Sequence, residues 1–159
     1  MFLPVHAQTR PVPEAAVLKG LPPVREVSAA EVAARISGGP RLVVLDDGPT
    51  GTQTVADVPV LTSWTVDDLR WALRQYSAVF FVLTNTRSLS PEDAAARNRE
   101  VVRALHAASA AEGTGYVLAS RGDSTLRGHF PLETDVLAEE LTELDSAAQF
   151  AAGVRPGRR

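Results

Sequence analysis

Short apolar runs alternate with longer segments of helical periodicity along most of this chain. The apolar runs predict strands at 42–45, 58–61, 79–83 and 116–119. The helical patterns predict helices that start near Ser28, Thr65, Ser90 and Pro131. This alternation predicts an α/β fold, a three-layer Rossmann-like domain with a mainly parallel sheet and helices on both faces.

Capping chemistry supports two of the predicted helix starts. Ser28 precedes Glu31 by three positions, which favours a capping box in which the two side chains each satisfy an orphan backbone N–H. Ser90 precedes Pro91 and two acids, and these residues suit the first turn of a helix. We expect this longest helix to run to about Ala111.

The helix expected from Thr65 carries a short apolar stripe. Leu69, Leu73 and Tyr76 recur at a spacing that places side chains on roughly one face of a helix. We therefore expect one helix to include all three residues.

The length of 159 residues favours a single domain. The composition divides the chain into three segments. Residues 1–27 are proline-rich, and we interpret them as an extended lead-in with one short helix around Glu14 to Lys19. Residues 28–146 carry the α/β pattern. Residues 147–159 lack periodicity and end in arginines, which predicts a disordered tail.

Charge and composition argue against several functional classes. The formal net charge is -3 and no basic stripe occurs, so nucleic acid is not expected as a partner. The chain has no cysteine, which excludes disulfides, thiol catalysis and cysteine-ligated zinc. No apolar run approaches the roughly 20 residues of a membrane span, and no signal-peptide pattern opens the chain, so we expect a cytoplasmic protein without a membrane partner.

Polar, glycine-bearing loops follow three of the predicted strands. In an open parallel sheet, the loops at the carboxyl ends of the strands converge on one crevice, and ligands bind there. We therefore predict a single site for a small polar ligand. The candidate binding residues are Asp46, Asp47, Thr50, Gly51, Asn85, Arg87, Arg121, Asp123, Ser124, Arg127 and His129.

These residue types suit a ligand that carries hydroxyls and a carboxylate. Aspartates can hold hydroxyls, accept a hydroxyl proton or bind Mg²⁺, and the Asn85 amide both donates and accepts. Arg121 and Arg127 present planar donor forks that match a carboxylate. His129 stands before a helix start, where backbone donors favour anions. The alternatives are an aspartate that caps its own turn, a plain connection at Asn85, and an internal Asp–Arg salt bridge with His129 as a capping residue.

Familiar nucleotide and metal signatures are absent from the sequence. The chain has neither the glycine-rich phosphate loop that ends in lysine nor the dinucleotide-binding glycine motif, and Lys19 is its only lysine. Its three histidines lack metal-ligand spacing, so we expect no metal site in this chain.

Three motifs carry a family resemblance. They are VLDDGPTGTQT at 44–54, TNTRS at 84–88 and SRGDSTLRGH at 120–129. In this order they resemble the N-terminal domain of the four-carbon acid sugar kinase family, formerly a domain of unknown function. The similarity covers roughly residues 41–144, and three motifs in the same order are more specific than any one alone.

The resemblance implies the substrate-binding domain of an ATP-dependent kinase. The family phosphorylates acids such as threonate, erythronate or 3-oxo-tetronate, and its N-terminal domain is thought to bind the acid while a C-terminal domain binds ATP. ATP and Mg²⁺ are thereby implied for the intact kinase, with neither bound by this chain alone. Asp47 and Asp123 become candidates for the acceptor of the hydroxyl proton. The implied partners are the acid and an ATP-binding domain or separate subunit, and self-association is left open.

Two departures from the family pattern bear on activity. Gly48 stands where the family usually carries a third aspartate, and no ATP-binding domain follows in this sequence. We therefore expect the substrate half of the kinase, inactive alone, as an expressed fragment, a split subunit or a truncated gene product. One alternative is a stand-alone sugar-acid-binding module without catalysis. Another is a hydrolase with Asp46 as nucleophile, which is disfavoured because its acidic pair is adjacent and no lysine follows.

Overall fold

The computed structural model describes residues 11–23, 25–49, 55–123 and 127–151. It contains four strands and five α-helices in these ranges, and a 3₁₀ turn at Thr86–Ser88. The strands are β1 Arg41–Asp46, β2 Val60–Leu61, β3 Val79–Leu83 and β4 Tyr116–Arg121. The helices are α1 Glu14–Val17, α2 Ala29–Ile36, α3 Val66–Leu73, α4 Pro91–Glu112 and α5 Leu132–Ala151.

All four strands are parallel and lie in the order β2-β3-β1-β4. The predicted α/β class, with a parallel sheet in a Rossmann-like three-layer arrangement, is therefore confirmed. The register places Asp46 beside Leu83 of β3 on one side and beside Arg121 of β4 on the other. Three strands thus end at the same edge of the sheet.

The hydrophobic core lies between one face of the sheet and helices α3, α4 and α5. Residues that alternate along β1 and β3 contribute the strand side of this core, as expected for a pleated strand with one buried face. Its fully or almost fully buried members include Val43, Leu45, Phe80, Val82, Leu69, Leu73, Val101, Val102, Leu105 and Leu137. This packing provides a rigid base for the loops at the sheet edge.

The capping predictions are confirmed in part. The Ser28 hydroxyl accepts the backbone N–H of Glu31 at 3.1 Å, but the Glu31 carboxylate binds Arg35 at 3.1 Å instead of returning to the Ser28 backbone. The expected box at Ser28 is therefore only half formed. A complete capping box is found at Thr65 and Asp68, and Ser90 caps α4 as predicted.

The prediction that Tyr76 shares a helix with Leu69 and Leu73 is wrong. Helix α3 ends at Leu73, and Tyr76 is fully exposed. The side chain of Arg41, at the start of β1, donates to the carbonyls of Leu73 at 3.3 Å and Gln75 at 3.1 Å. A distant arginine therefore satisfies carbonyls at the helix end and supports the turn toward β3.

The structure near both ends of the described chain can be compared with the predicted segments. The short helix expected in the lead-in is present as α1. Helix α5 runs to Ala151, so the expected boundary after residue 146 falls within a helix, and residues 152–159 lie outside the described ranges. Within those ranges, no helix combines the length and apolar character needed to cross a membrane.

Gly113→Ala is expected to destabilise the protein by about 1 kcal/mol, because Gly113 ends α4 with φ +60° and an alanine is strained there. The free energy of unfolding from urea titration measures this cost. Gly115→Ala is the matched control, since its added Cβ would meet only Pro40 Cβ at an ordinary 3.6 Å. An equal loss in both variants would contradict backbone strain as the cause.

Candidate functional site

Three aspartates and three arginines lie together at the carboxyl ends of β1, β3 and β4. Four ion pairs with N···O distances of 2.7–3.3 Å join them in two groups: Arg121 pairs with Asp46, while Arg87 pairs with Asp47 and Asp123, and Arg127 pairs with Asp123. We call them the charged cluster: Asp46, Asp47, Arg87, Arg121, Asp123 and Arg127. Parallel strands bring these residues together although up to 76 positions separate hydrogen-bonded partners in the sequence.

Asp46 ends β1 and is fully buried. Its Oδ1 accepts the backbone N–H of Gly48 and Nη1 of Arg121, both at 3.3 Å. Its Oδ2 is buried and has no hydrogen-bond partner among the described residues. Buried carboxylate oxygens are rarely left unpaired, so this oxygen can accept a donor from a ligand that displaces the atoms now covering it.

Asp47, in contrast, has both oxygens engaged. Arg87 Nη2 donates to Oδ1 at 2.7 Å, Arg87 Nε donates to Oδ2 at 3.3 Å, and the backbone N–H of Asp123 donates to Oδ2 at 2.7 Å. Burial by itself would raise the pKa of the Asp47 carboxyl. The hydrogen bonds from Arg87 and Asp123, together with the charges of Arg87 and Arg121, bring that pKa below its ordinary value. Asp47 is therefore ionised and a weak base.

Gly48 makes room for Arg87. A Cβ added at Gly48 would lie 2.8 Å from Nη2 and 2.9 Å from Cζ of the Arg87 guanidinium, closer than real Cβ contacts. The same guanidinium also reaches Asp123, with Nη1 3.3 Å from Oδ2. An arginine that binds Asp47 thus covers the backbone at Gly48.

Two clefts open on either side of Arg87. One, of about 310 Å³, is lined by Arg87, Arg121, Gly122, Asp123 and Arg127. The other, of about 300 Å³, is lined by Asp47, Gly48, Pro49, Asn85, Arg87 and Ser88. Their walls carry guanidinium, carboxylate, amide and hydroxyl groups, which suit a small, highly polar ligand.

Arg121 and Arg127 are the more exposed arginines of the charged cluster. Their side chains are 47% and 71% exposed, and Arg127 Nη2 lies 2.7 Å from Asp123 Oδ2. The internal Asp–Arg pairs considered as an alternative are therefore present. A guanidinium has several N–H donors, and in the described contacts Arg121 uses Nη1 alone. Its other donors are available to a ligand carboxylate.

His129 and Asn85 were both candidates for ligand binding. His129 Nε2 lies 3.2 Å from the carbonyl of Thr86 and 3.1 Å from that of Leu89. Both partners are acceptors, so we infer that Nε2 carries a proton, and His129 thereby fastens the 3₁₀ turn after β3 to the start of α5. Asn85 is exposed at a left-handed φ of 53°, and its amide donates to Ser88 Oγ at 3.3 Å.

A buried polar network beneath the charged cluster was missed by sequence reasoning. Glu133 Oε1 accepts the Thr86 hydroxyl at 2.5 Å and the Asn98 amide at 2.9 Å. All three residues are at most 5% exposed. Asn98 offers a signal that could have identified the network, because it is the polar member of the buried face of α4.

Three of the predicted site residues lie outside the described ranges: Thr50, Gly51 and Ser124. Within the residues that are described, no group of three or more histidine, aspartate or glutamate side chains is arranged to hold a metal ion.

Comparison with known proteins gave one match. The model of the family described as "Sugar-binding N-terminal domain" matches residues 42–158, which include all six members of the charged cluster. No match was found among curated proteins or among solved structures.

Proposed function

Because the chain belongs to the family of sugar-binding N-terminal domains, we propose that its charged cluster binds the substrate of an ATP-dependent four-carbon acid sugar kinase. The proposed substrate is threonate, erythronate or 3-oxo-tetronate. The observation that carries the proposal is the unpaired, buried Oδ2 of Asp46 beside the partly exposed guanidinium of Arg121. An acceptor and a cationic donor that lie side by side in the protein can bind a hydroxyl and the neighbouring carboxylate of a sugar acid.

The contacts favour different roles for the side chains that line the two clefts. Arg121, supported by Arg127, binds the carboxylate of the acid through donors that face solvent. Arg121 Nη1 lies 3.3 Å from Asp46 Oδ1, and we propose that a hydroxyl next to the bound carboxylate contacts Asp46 by displacing the atoms that now cover it. Asn85, in the adjoining cleft, is proposed for a more distant hydroxyl.

Asp46 also enters the proposed set of proton acceptors. The sequence-based candidates, Asp47 and Asp123, are both paired with Arg87. The lowered pKa of Asp47 makes it a weak base. Asp46 Oδ2 has no hydrogen-bond partner among the described residues, and we therefore propose that it contacts the reacting hydroxyl.

We propose that a second domain or subunit supplies the ATP site. The described residues contain no group arranged to hold a divalent cation, and the sequence has no phosphate loop. Mixing the chain with a separate ATP-binding domain, threonate and ATP is expected to release ADP. If binding of the acid is retained but no mixture with the family's ATP-binding domain releases ADP, the alternative of a binding module without catalysis is favoured.

Arg121→Ala is expected to weaken the binding of threonate or erythronate about 10- to 100-fold, because one charge-assisted contact to the carboxylate is lost. Isothermal titration calorimetry of the purified chain measures this change. Arg35→Ala, which removes an exposed pair within α2, is the control and should bind as the wild type does. Absence of heat with every four-carbon acid, or equal affinity in Arg121→Ala, would count against the proposal.

A further inference from the structure

Glu133 is a buried acid that has no cationic partner among the described residues. It lies in the first turn of α5, is 5% exposed, and forms no salt bridge within 4.0 Å in the described part of the chain. Its hydrogen bonds come from neutral groups, the Thr86 hydroxyl and the Asn98 amide. Burial of a carboxylate without an opposite charge is unfavourable, and the start of a helix offsets only part of that cost. The position of Glu133 therefore calls for another explanation.

Glu133 touches two of the three loops that carry the charged cluster, those that follow β3 and β4. Its Oε1 accepts from Thr86, the residue before Arg87. A Cβ added at Gly122 would lie 3.0 Å from Glu133 Oε2, so the other carboxylate oxygen packs closely against the residue before Asp123. Arg87 and Asp123, which directly follow these two contact residues, form an ion pair at 3.3 Å.

The same network reaches the end of β1. Thr86 Oγ1 lies 3.3 Å from Thr84 Oγ1, and the Thr84 hydroxyl donates to the backbone carbonyl of Asp46 at 2.9 Å. Both threonines are at most 1% exposed. A line of buried polar contacts thus connects Glu133 with the ends of β3 and β1.

We propose that Glu133 is a positioning residue for the sugar-acid site: through Thr86 and Gly122 it fixes Arg87 and Asp123 relative to Asp46. This inference rests on the proposed function only for the identity of the ligand. The carboxylate holds the two loops at the distance at which Arg87 binds Asp47 and Asp123 together.

The test uses two matched pairs of variants in the full chain. Thr86→Val replaces the hydroxyl with a methyl group and removes the donor to Glu133, while Thr86→Ser keeps a hydroxyl. Glu133→Leu removes the acceptor, while Glu133→Gln keeps one. We expect Thr86→Val and Glu133→Leu to weaken threonate binding about tenfold or more, and the two conservative variants to stay within about threefold of wild type. Thr86→Val keeps the test decisive if Glu133→Leu does not fold.

A second readout does not need a ligand. The Asp47 carboxyl is faced by Arg87, Arg121 and Asp123, and its pKa depends on where Arg87 lies. NMR titration should show this pKa rising in Thr86→Val and returning toward that of the wild type in Thr86→Ser. A fall in melting temperature with affinity and Asp47 pKa unchanged would overturn the inference. If the wild type binds no acid but the Asp47 pKa still rises in Thr86→Val, the proposed function fails and the positioning role stands.

Discussion

Asp46→Asn is expected to weaken binding of a four-carbon sugar acid about 100-fold or more, with the free energy of unfolding unchanged or higher. The asparagine oxygen can keep the contacts of Oδ1 with Gly48 and Arg121. Its NH₂ group would take the place of Oδ2, which has no partner in the described structure, and cannot accept a ligand hydroxyl. Replacement of a buried charge by a neutral amide removes a desolvation cost, so affinity and stability should change independently.

Calorimetric titration with threonate and erythronate, beside urea unfolding of the same samples, checks this result. Asp67→Asn, on the exposed side of α3, is the control for loss of one negative charge and should alter neither quantity. An unchanged affinity in Asp46→Asn would reject the role of Asp46. A large loss of stability would instead identify Asp46 as a structural carboxylate.

Asp47→Asn should have the opposite effect on stability and lower it by about 2–3 kcal/mol at pH 7. Asp47 is 2% exposed and accepts charge-assisted hydrogen bonds from Arg87 together with the backbone N–H of Asp123. An asparagine cannot accept on both sides, and it leaves Asp123 as the ion-pair partner of Arg87 among the described residues.

The loss of stability in Asp47→Asn is expected to depend on pH, and the lowered pKa of Asp47 sets the direction. Folding lowers the pKa of Asp47 below its ordinary value of 3.8, so the stabilisation from its carboxylate is fully present above that value. It is lost as the pH falls through the lower pKa of the folded state. The difference between wild type and Asp47→Asn should therefore be constant near neutrality and shrink below pH 3.8. Urea unfolding of both proteins at pH 7 and pH 3 measures it, and a difference independent of pH would show that Asp47 acts through packing alone.

The secondary structure could be predicted from the sequence because its signals are local. The apolar run at 79–83 coincides with β3, and Ser90 caps α4 as its sequence context indicates. The helix that includes Tyr76 was predicted wrongly because its end depends on Arg41, whose partners are 32 and 34 positions away. Pairing with so distant a residue leaves no periodic signal in the sequence.

The approximate place of the site was likewise predictable. Polar loops after apolar strands indicate the carboxyl edge of a parallel sheet, and the members of the charged cluster were named from that rule alone. Their pairing was not predictable, because it depends on the strand order β2-β3-β1-β4. With β1 between β3 and β4, Arg121 reaches Asp46 and Arg87 reaches Asp47.

The sequence by itself determined the order of strands and helices, the parallel α/β class and the residue types at the strand ends, since hydrophobic period, helix caps and turn residues act over a few positions. Only the tertiary structure decided which carboxylate oxygen stays unpaired, how Arg87 covers Gly48, and that Glu133 touches the loops that follow β3 and β4. These features depend on distances between side chains from separate strands and helices. Such distances are fixed by packing of the whole domain, so the chemistry of Asp46 and Asp47 diverges although the two residues are adjacent in the chain.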